Sequence, residues 1–488
     1  MREIIAALDL GTSKSVALVA QKYYSGKLSV MQTETIVSKN AIRRGRIYNS
    51  DETAEIITKL IWKLNSNPNI LVEKIYVGIG GQSLRTQQFS VKKFVEGGSI
   101  SQQLLDTLRD EALNYQPEFE ENLGIISREY YADGHLVSTP KGALASVIEA
   151  RFLLIVGNPC LKRNLDSVFN HEGISVAGYF VSPLATAEAV LTQDEKESGC
   201  ALIEFGEGVT YISIYKNKNL KYMITIPVGG LAITKDIRCL NVQEDEAEDL
   251  KIKYGSAIPK QENDESIPVH KEHNSSWNIK MHDLDIIIEA RIDEIVKNIS
   301  KHIQDYSHEL NSGIVITGGG ALLRDLPQFI KNETGKEVRL AQPKVLINQI
   351  ETLLSPANSC VVGLATLGNE NCVIVKTIKE KEKEIEKDKK ELENNNDKDK
   401  KFNLFDEIKK EIKGEDKKEE SAQPSQTKDE DTIKPINVFK DFFGNRVKRG
   451  VKKGVKIIDN MELALFKDSD FDDDTTNSAE DDTNVTKP

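Results

Sequence analysis

At 488 residues the chain is too long for one hydrophobic core, which rarely outgrows about 250 to 300 residues, so two or more domains are expected. A formal net charge of −12 excludes the broad basic face of a general nucleic-acid binder; no nucleic acid partner is expected, and any basic patch must be local. The cysteines (Cys160, Cys200, Cys239, Cys360 and Cys372) are scattered, odd in number and form no CxxC pair, so they suggest neither a disulfide framework nor a zinc site and read as buried free thiols of a reducing cytosol.

The chain opens with "MREIIAALDLGTSK", whose apolar run is too short for a signal segment and leads directly into Gly11; it reads as a first strand. That strand ends in Asp9, turns at Gly11, Thr12 and Ser13, and returns as "SVALVA". A helix from Gln102 is followed by "GIISREYYADGHLVSTPKGALASVIEARFLLIVG", two strands joined by a Gly/Pro-marked loop. "CALIEFGEGVTYISIY" then repeats the strand, acid, Gly-turn and strand of the N-terminus, with Glu204, Gly206 and Gly208 in the corresponding places. Two such hairpins imply an internally duplicated architecture. Glycine lets the backbone approach phosphate oxygens and its N–H groups form an anion nest. Acids at the strand ends, here Asp9 and Glu204, can hold a magnesium ion through water.

Further on, "DEAEDLKIKYG" sets Glu248 and Lys251 three apart on a helical face, a spacing that suits contact with a ribose and equally an ordinary surface ion pair. In "DLDIIIEARIDEIVKNISKHI" the residues Ile286, Ile287, Ala290, Ile295 and Ile299 are expected to form the core-facing stripe. "GIVITGGGALLRDLP" runs a strand into Gly318, Gly319 and Gly320 and then a helix, which either brings a planar ring or sugar close to backbone or is a tight strand-to-helix turn.

Beyond about Thr377 the composition changes. Lys379 to Asp431 is dominated by charges of mixed sign and cannot bury enough apolar surface to order itself. Within it Phe402, Phe405, Ile408 and Ile412 lie near one helical face, which fits a partner-binding element as well as a linker helix. In "VFKDFFGNRVKRGVKKGVKII" the apolar Phe439, Phe443, Val447, Val451, Val455 and Ile458 recur at helical spacing, with Phe442 beside them. Lys440, Arg446, Lys448, Arg449, Lys452, Lys453 and Lys456 fill other positions, giving an interfacial amphipathic helix for anionic lipid. Each basic residue near an anionic leaflet contributes about 1 kcal/mol. Gly444, Gly450 and Gly454 each oppose the helix by about 1 kcal/mol relative to Ala, so the segment should fold only on a membrane. A solvated basic stretch balancing the acidic tail is the alternative.

The order of these elements resembles the actin, heat-shock ATPase and sugar-kinase superfamily. The phrases "GYFVSPLATAEAVLTQDEKESGCALIEFGEGVTYISIY", "IPVGGLAITKDI", "EAEDLKIKYG", "ITGGGALLRDLP" and "SPANSCVVGLATLG" are similar, more narrowly, to the bacterial FtsA family, over nearly all of Met1 to about Gly368. The resemblance implies an α/β, actin-like (ribonuclease H-like) duplicated two-lobe fold. Its first lobe would comprise 1–84 and 163–200, interrupted by an FtsA-type inserted subdomain, 85–162. The second lobe would comprise 201–231 and 312–377, interrupted by an insertion, 232–311, with nucleotide and FtsZ-peptide contacts. A charged disordered linker (378–434), an amphipathic membrane-targeting segment (435–467) and an acidic disordered tail (468–488) would follow.

The same resemblance implies ATP and Mg2+ as cofactors, with Gly229 and Gly230 joining Asp9, Gly11, Thr12, Ser13, Gly206, Gly208, Glu248, Lys251 and Gly318 to Gly320 around the nucleotide. It implies self-association into actin-like protofilaments, capture of the FtsZ C-terminal peptide, contacts with other divisome proteins, and peripheral attachment to the cytoplasmic side of the inner membrane at the septum. Against the family pattern this chain has Glu204 for Asp, Glu207 for Gly, Val209 for Thr and Tyr211 for a frequent Asp. The lost hydroxyl and added carboxylate leave nucleotide binding expected, with ATPase activity slow or absent. A pilus scaffold of the PilM type and, less favoured, a small-molecule kinase of the superfamily remain as alternatives.

Overall fold

The computed structural model describes residues 3–38, 40–67, 69–259, 265–270, 276–346 and 351–375, so the linker, the basic segment and the acidic tail lie outside the described residues. Strands β1 (Glu3–Leu10), β2 (Lys14–Lys22) and β3 (Leu28–Val37) form an antiparallel meander. Ile5 to Leu8 of β1 are fully buried, as a strand covered on both faces requires. Helix α1 (Ser50–Leu64) starts at Asn49, whose side chain accepts from the Asp51 and Glu52 amides, and it sinks Ile57, Leu60 and Leu64 into the core. Strand β4 (Lys74–Ile79) then runs parallel to β1.

The chain next builds β5 (Arg85–Phe94), α2 (Gln102–Leu113), β6 (Glu121–Ala132), β7 (His135–Val137) and β8 (Val147–Gly157) around a separate core that includes Leu108, Ile148, Phe152 and Leu154. The helix from Gln102 and the two long strands fall where the sequence puts them; β5, antiparallel to β8, completes the layer. Helix α3 (Cys160–Glu172), strand β9 (Ser175–Val181) parallel to β4, and helices α4 (Ser182–Val190) and α5 (Gln193–Ser198) lead on.

The meander then recurs as β10 (Cys200–Phe205), β11 (Thr210–Lys216) and β12 (Asn219–Ile226). Helices α6 (Gly230–Ile237), α7 (Glu244–Lys253) and α8 (Met281–Ile303) follow, the last preceded by two short antiparallel strands, Ser266–His270 and Ser276–Lys280. Strand β13 (Ile314–Thr317) is parallel to β10; helix α9 (Leu326–Thr334), strand β14 (Val338–Leu340) parallel to β13, and helix α10 (Ser359–Leu367) close the fold. The first sheet is ordered β9-β4-β1-β2-β3, and the larger sheet contains β14-β13-β10-β11-β12, the same plan with the same strand directions. The duplicated, actin-like α/β architecture is present. The inserted layer continues the second sheet through one pair, Arg85 opposite Ile224, reinforced by the Thr225 hydroxyl donating to the Leu84 carbonyl at 2.8 Å.

Three expectations change. In α8 the buried stripe runs Leu284, Ile288, Ile292, Ile295, Ile299 and Ile303; Ile295 and Ile299 were placed rightly, but Ile286 is 45% exposed and Ala290 is also exposed. Steps of four and three hold one helical face, and Ile286 and Ala290 fall off it. Helix α10, assigned by sequence to the second lobe, packs on β1, β2 and β4, with Val361, Val362 and Leu364 in the first core. A Cβ on its Gly363 would stand 1.8 Å from the Ala185 carbonyl oxygen of α4, so the two helices touch backbone to backbone. Among the cysteines, all free, Cys200, Cys360 and Cys372 are buried, whereas Cys160 is half-buried and Cys239 exposed. Among the described residues no helix is long and apolar enough to cross a membrane.

Candidate functional site

The two meander turns are built alike. The Gly11 N–H donates to the Lys14 carbonyl at 3.1 Å, and the Gly206 N–H donates to the Val209 carbonyl at 2.9 Å. A Cβ on Gly11 would lie 2.6 Å from that carbonyl, and one on Gly206 2.7 Å from its own, so each turn closes only over glycine. The turns also meet. A Cβ on Gly208 would stand 2.7 Å from the Thr12 hydroxyl and 2.9 Å from the Arg44 Cα. The Thr12 hydroxyl accepts from the Gly45 N–H at 3.2 Å. Thus a small hairpin, Ile42–Arg43 paired with Arg46–Ile47, lies against both turns with Arg44 and Gly45 at its tip.

Asp9 and Glu204 each stand one residue before the end of the two first strands, both half-buried, with Asp9 close enough for its charge to act on Glu204. Burial pushes the Asp9 carboxyl up, and the Cys360 thiol and the Lys14 charge pull it back. Glu204 is pushed up to about 8, by burial first and by the Asp9 charge second. The pair therefore titrates as a unit and keeps a proton to higher pH than two separate carboxyls would. The Thr186 hydroxyl lowers Glu204 by proximity, yet neither Glu204 Oε2 nor Thr186 Oγ1 has a partner of normal hydrogen-bond geometry. Lys14 donates to Asn358 Oδ1 at 2.7 Å; burial lowers its pKa and Asp9 raises it.

Among the described residues no three His, Cys, Asp or Glu side chains form a metal cluster. A magnesium ion that keeps most of its water needs no such cluster. Two strand-end carboxylates, one with a buried oxygen that no protein donor satisfies, fit that hydrated ion.

Glu207 faces the other lobe rather than bulk water. Burial raises its pKa, the nearby Ser13 hydroxyl lowers it, and Glu248 raises it again. Its carbonyl and that of Gly206 accept from the Leu231 and Gly230 N–H groups at 2.9 and 3.0 Å. A Cβ on Gly229 would lie 2.4 and 2.6 Å from those two carbonyls. Gly229 and Gly230 thus brace the second turn. Lys251 Nζ donates to Glu248 at 2.6 Å, to Thr234 at 2.9 Å and to the Gly230 carbonyl at 3.1 Å, while Thr234 also bonds Glu248. The i,i+3 pair therefore exists, and it fastens α7 to α6 beside the turn.

The triple glycine differs from its expected form. A short 3-10 turn, Gly319–Leu322, separates β13 from α9, so no α-helix begins at the glycines. A Cβ on Gly318, which has φ +90°, would be 2.4 Å from the Phe205 carbonyl oxygen, and one on Gly320 3.1 Å from the Phe205 Cβ. These two glycines accommodate the second hairpin strand; Gly319, with only an ordinary contact to Ala357 at 3.7 Å, keeps room in front of it.

Sequence reasoning missed Lys14, Asn358, the contact of Cys360 with Asp9 and the Arg44 hairpin, and it noted Tyr211 only as a departure from the family pattern. Tyr211, on β11, accepts from the Gly81 N–H of the first lobe at 2.8 Å. Of these only "IRRGR", a glycine among arginines between two isoleucines, carries a local hairpin signal. Phe439, Phe442, Phe443, Arg446, Val447, Lys448, Arg449, Val451, Lys452, Lys453 and Val455, the expected membrane face, lie outside the described residues.

Comparison with known proteins adds a sequence and a fold match. The family model described as cell division protein FtsA matches residues 201–363. A cell division protein FtsA of Porphyromonas gingivalis is 30% identical over 360 residues, 72% of this chain and 74% of that protein. The protein of the same description from Neisseria meningitidis is 28% identical over 369 residues, 74% and 89% of the two chains. Among solved structures, the PilM–PilN type IV pilus biogenesis complex contains a chain that superposes with a TM-score of 0.54 at 13% identity, covering 74% of this chain and 97% of that one, a likeness of fold.

Proposed function

The chain belongs to the FtsA family of cell-division proteins, and from that premise we propose that it is a nucleotide-gated scaffold that polymerises at the septum and tethers FtsZ to the inner face of the cytoplasmic membrane. The observation that carries the nucleotide reading is the matched pair of glycine turns, Gly11–Lys14 and Gly206–Val209, flanked by Asp9 and by Glu204 with its unsatisfied oxygen. ATP would lay its phosphates across the turns, Asp9 and Glu204 would hold Mg2+ through water, Glu248 and Lys251 would border the ribose, and Gly319 would leave space for the adenosine. The ion supplies charge neutralisation between phosphates and carboxylates. The inserted layer and the lobes would serve head-to-tail contacts, the α6–α8 region would receive the FtsZ C-terminal peptide, and the segment around Phe443 would attach the assembly to anionic lipid.

Isothermal titration with ATP, with and without Mg2+, tests the nucleotide half: affinity that depends on Mg2+ and falls in Glu204→Ala supports it, and no ATP affinity at all removes it. Hydrolysis is expected to be slow; Glu204→Asp combined with Val209→Thr should raise turnover if those departures limit it. Flotation with anionic vesicles tests the tether. Deleting everything after about Lys434 should release the protein, and a Phe443→Asp variant that floats as well as the parent would overturn this anchor assignment.

A further inference from the structure

Among the described residues the arginine hairpin, which lies between β3 and α1, has no counterpart between β12 and α6, and it is not explained by packing alone. Ile42 and Ile47 are buried, whereas Arg43, Arg44 and Arg46 are all exposed. Arg43 lies over the Tyr48 ring at 3.7 Å. Arg44 is different: its guanidinium has one long contact, Nη1 to Gln82 Oε1 at 3.4 Å, and among the described residues it makes no ion pair. Yet its backbone is pressed between the two glycine turns, because the Gly208 position approaches its Cα and N and the next residue, Gly45, donates to Thr12. The tip is held there: Arg44 and Gly45 have φ +49° and +73°, and a Cβ on Gly45 would be 3.0 Å from the Gly81 N and 3.1 Å from the Tyr211 hydroxyl.

The second turn supplies a direction. Phe205 touches the Gly318 turn, Gly206 and Glu207 are braced by Gly229 to Leu231, and Gly208 meets Arg44. Contacts thus pass in residue order from the adenosine side to the hairpin, which stands at the far end of the turn. Resting on the nucleotide reading above, we infer that Arg44 binds the terminal phosphate of a nucleoside triphosphate and so sets the preference for triphosphate over diphosphate. An unpaired guanidinium presents a planar fork to phosphate oxygens, and it becomes most useful where acidic side chains such as Asp9 and Glu207 crowd the anion.

The test is titration of the full-length protein with Mg2+-ATP and Mg2+-ADP, in the parent and in Arg44→Gln, Arg44→Lys and Arg43→Gln. Arg44→Gln should lose about tenfold or more in ATP affinity with ADP affinity unchanged, because a charge-assisted phosphate contact is absent from the diphosphate. Arg44→Lys should restore part of the preference, and Arg43→Gln should leave the ratio as in the parent. Equal losses for ATP and ADP, or equal losses at Arg43 and Arg44, would overturn the assignment in favour of a structural or general-field role. A parent protein that binds neither nucleotide would refute the nucleotide reading itself, whereas a parent that prefers ATP with an unchanged ratio in Arg44→Gln would refute this inference alone.

Discussion

The first and second glycine turns share a backbone and little else. Each closes with a glycine amide bonded to the carbonyl three residues on, and each follows a strand-end acid. The first then offers Thr12, Ser13 and Lys14, two hydroxyls and a cation; the second offers Glu207, Gly208 and Val209, an acid, a bare backbone and an aliphatic chain. What duplication keeps is the set of aimed N–H groups, which any side chain leaves in place. The side chains are free to divide the work, and here the first turn carries the positive charge while the second carries the negative one and meets its neighbour through Glu207 and Ser13.

The most damaging way to break the comparison is to fill the turns. Gly11→Ala and Gly206→Ala each push a methyl onto a carbonyl, so each should cost about 3 kcal/mol in denaturant unfolding, by similar amounts if the turns are equivalent. A large cost at one and none at the other would show that the likeness is superficial.

Next comes pH. The Glu204 carboxyl sits at about 8 in the fold against an ordinary 4.5, so the folded protein holds that proton more tightly than the unfolded chain. Its stabilising contribution is complete below 4.5 and is lost as pH rises through about 8. Allowing for the solvent that reaches Glu204 in part, the protein without added nucleotide should lose about 2 kcal/mol over that window, and Glu204→Gln should flatten the loss. Thermal melts from pH 5 to 9, with and without Mg2+-ATP, read this directly; a parent and a Glu204→Gln variant with the same profile would show that Glu204 is not the titrating group.

Smaller effects sharpen the division between turns. Tyr211→Phe strands the Gly81 N–H between lobes and should cost about 1–2 kcal/mol, measured by denaturant midpoint. Glu207→Gly removes an acid from the proposed phosphate site and should raise ATP affinity a few-fold by titration; unchanged affinity would mean that Glu207 does not face the phosphates.

The duplication was legible because it is local: an apolar strand, an acid and a glycine turn occur within one short phrase, twice. The α8 stripe was half legible, since a run of isoleucines supplies apolar residues on several faces and only packing selects Ile288 and Ile292 over Ile286 and Ala290. The neighbours of the carboxylates were not legible at all. Lys14 meets Asn358, Asp9 meets Cys360 and Gly208 meets Arg44 only after the chain has folded back on itself. For the same reason Gly318 and Gly320 read as ligand-facing when the second hairpin strand fills their space.

The bare contact between Gly363 and Ala185 makes α4 and α10 of the first core a single rigid piece. With main chain against main chain, no side chain is available there to be squeezed or to change rotamer, and close-packed peptide groups resist compression. The two helices therefore move together, and whatever displaces α4 carries α10 with it. A single methyl at position 363 would act like a shim, prying the two helices apart and loosening the first core that they share.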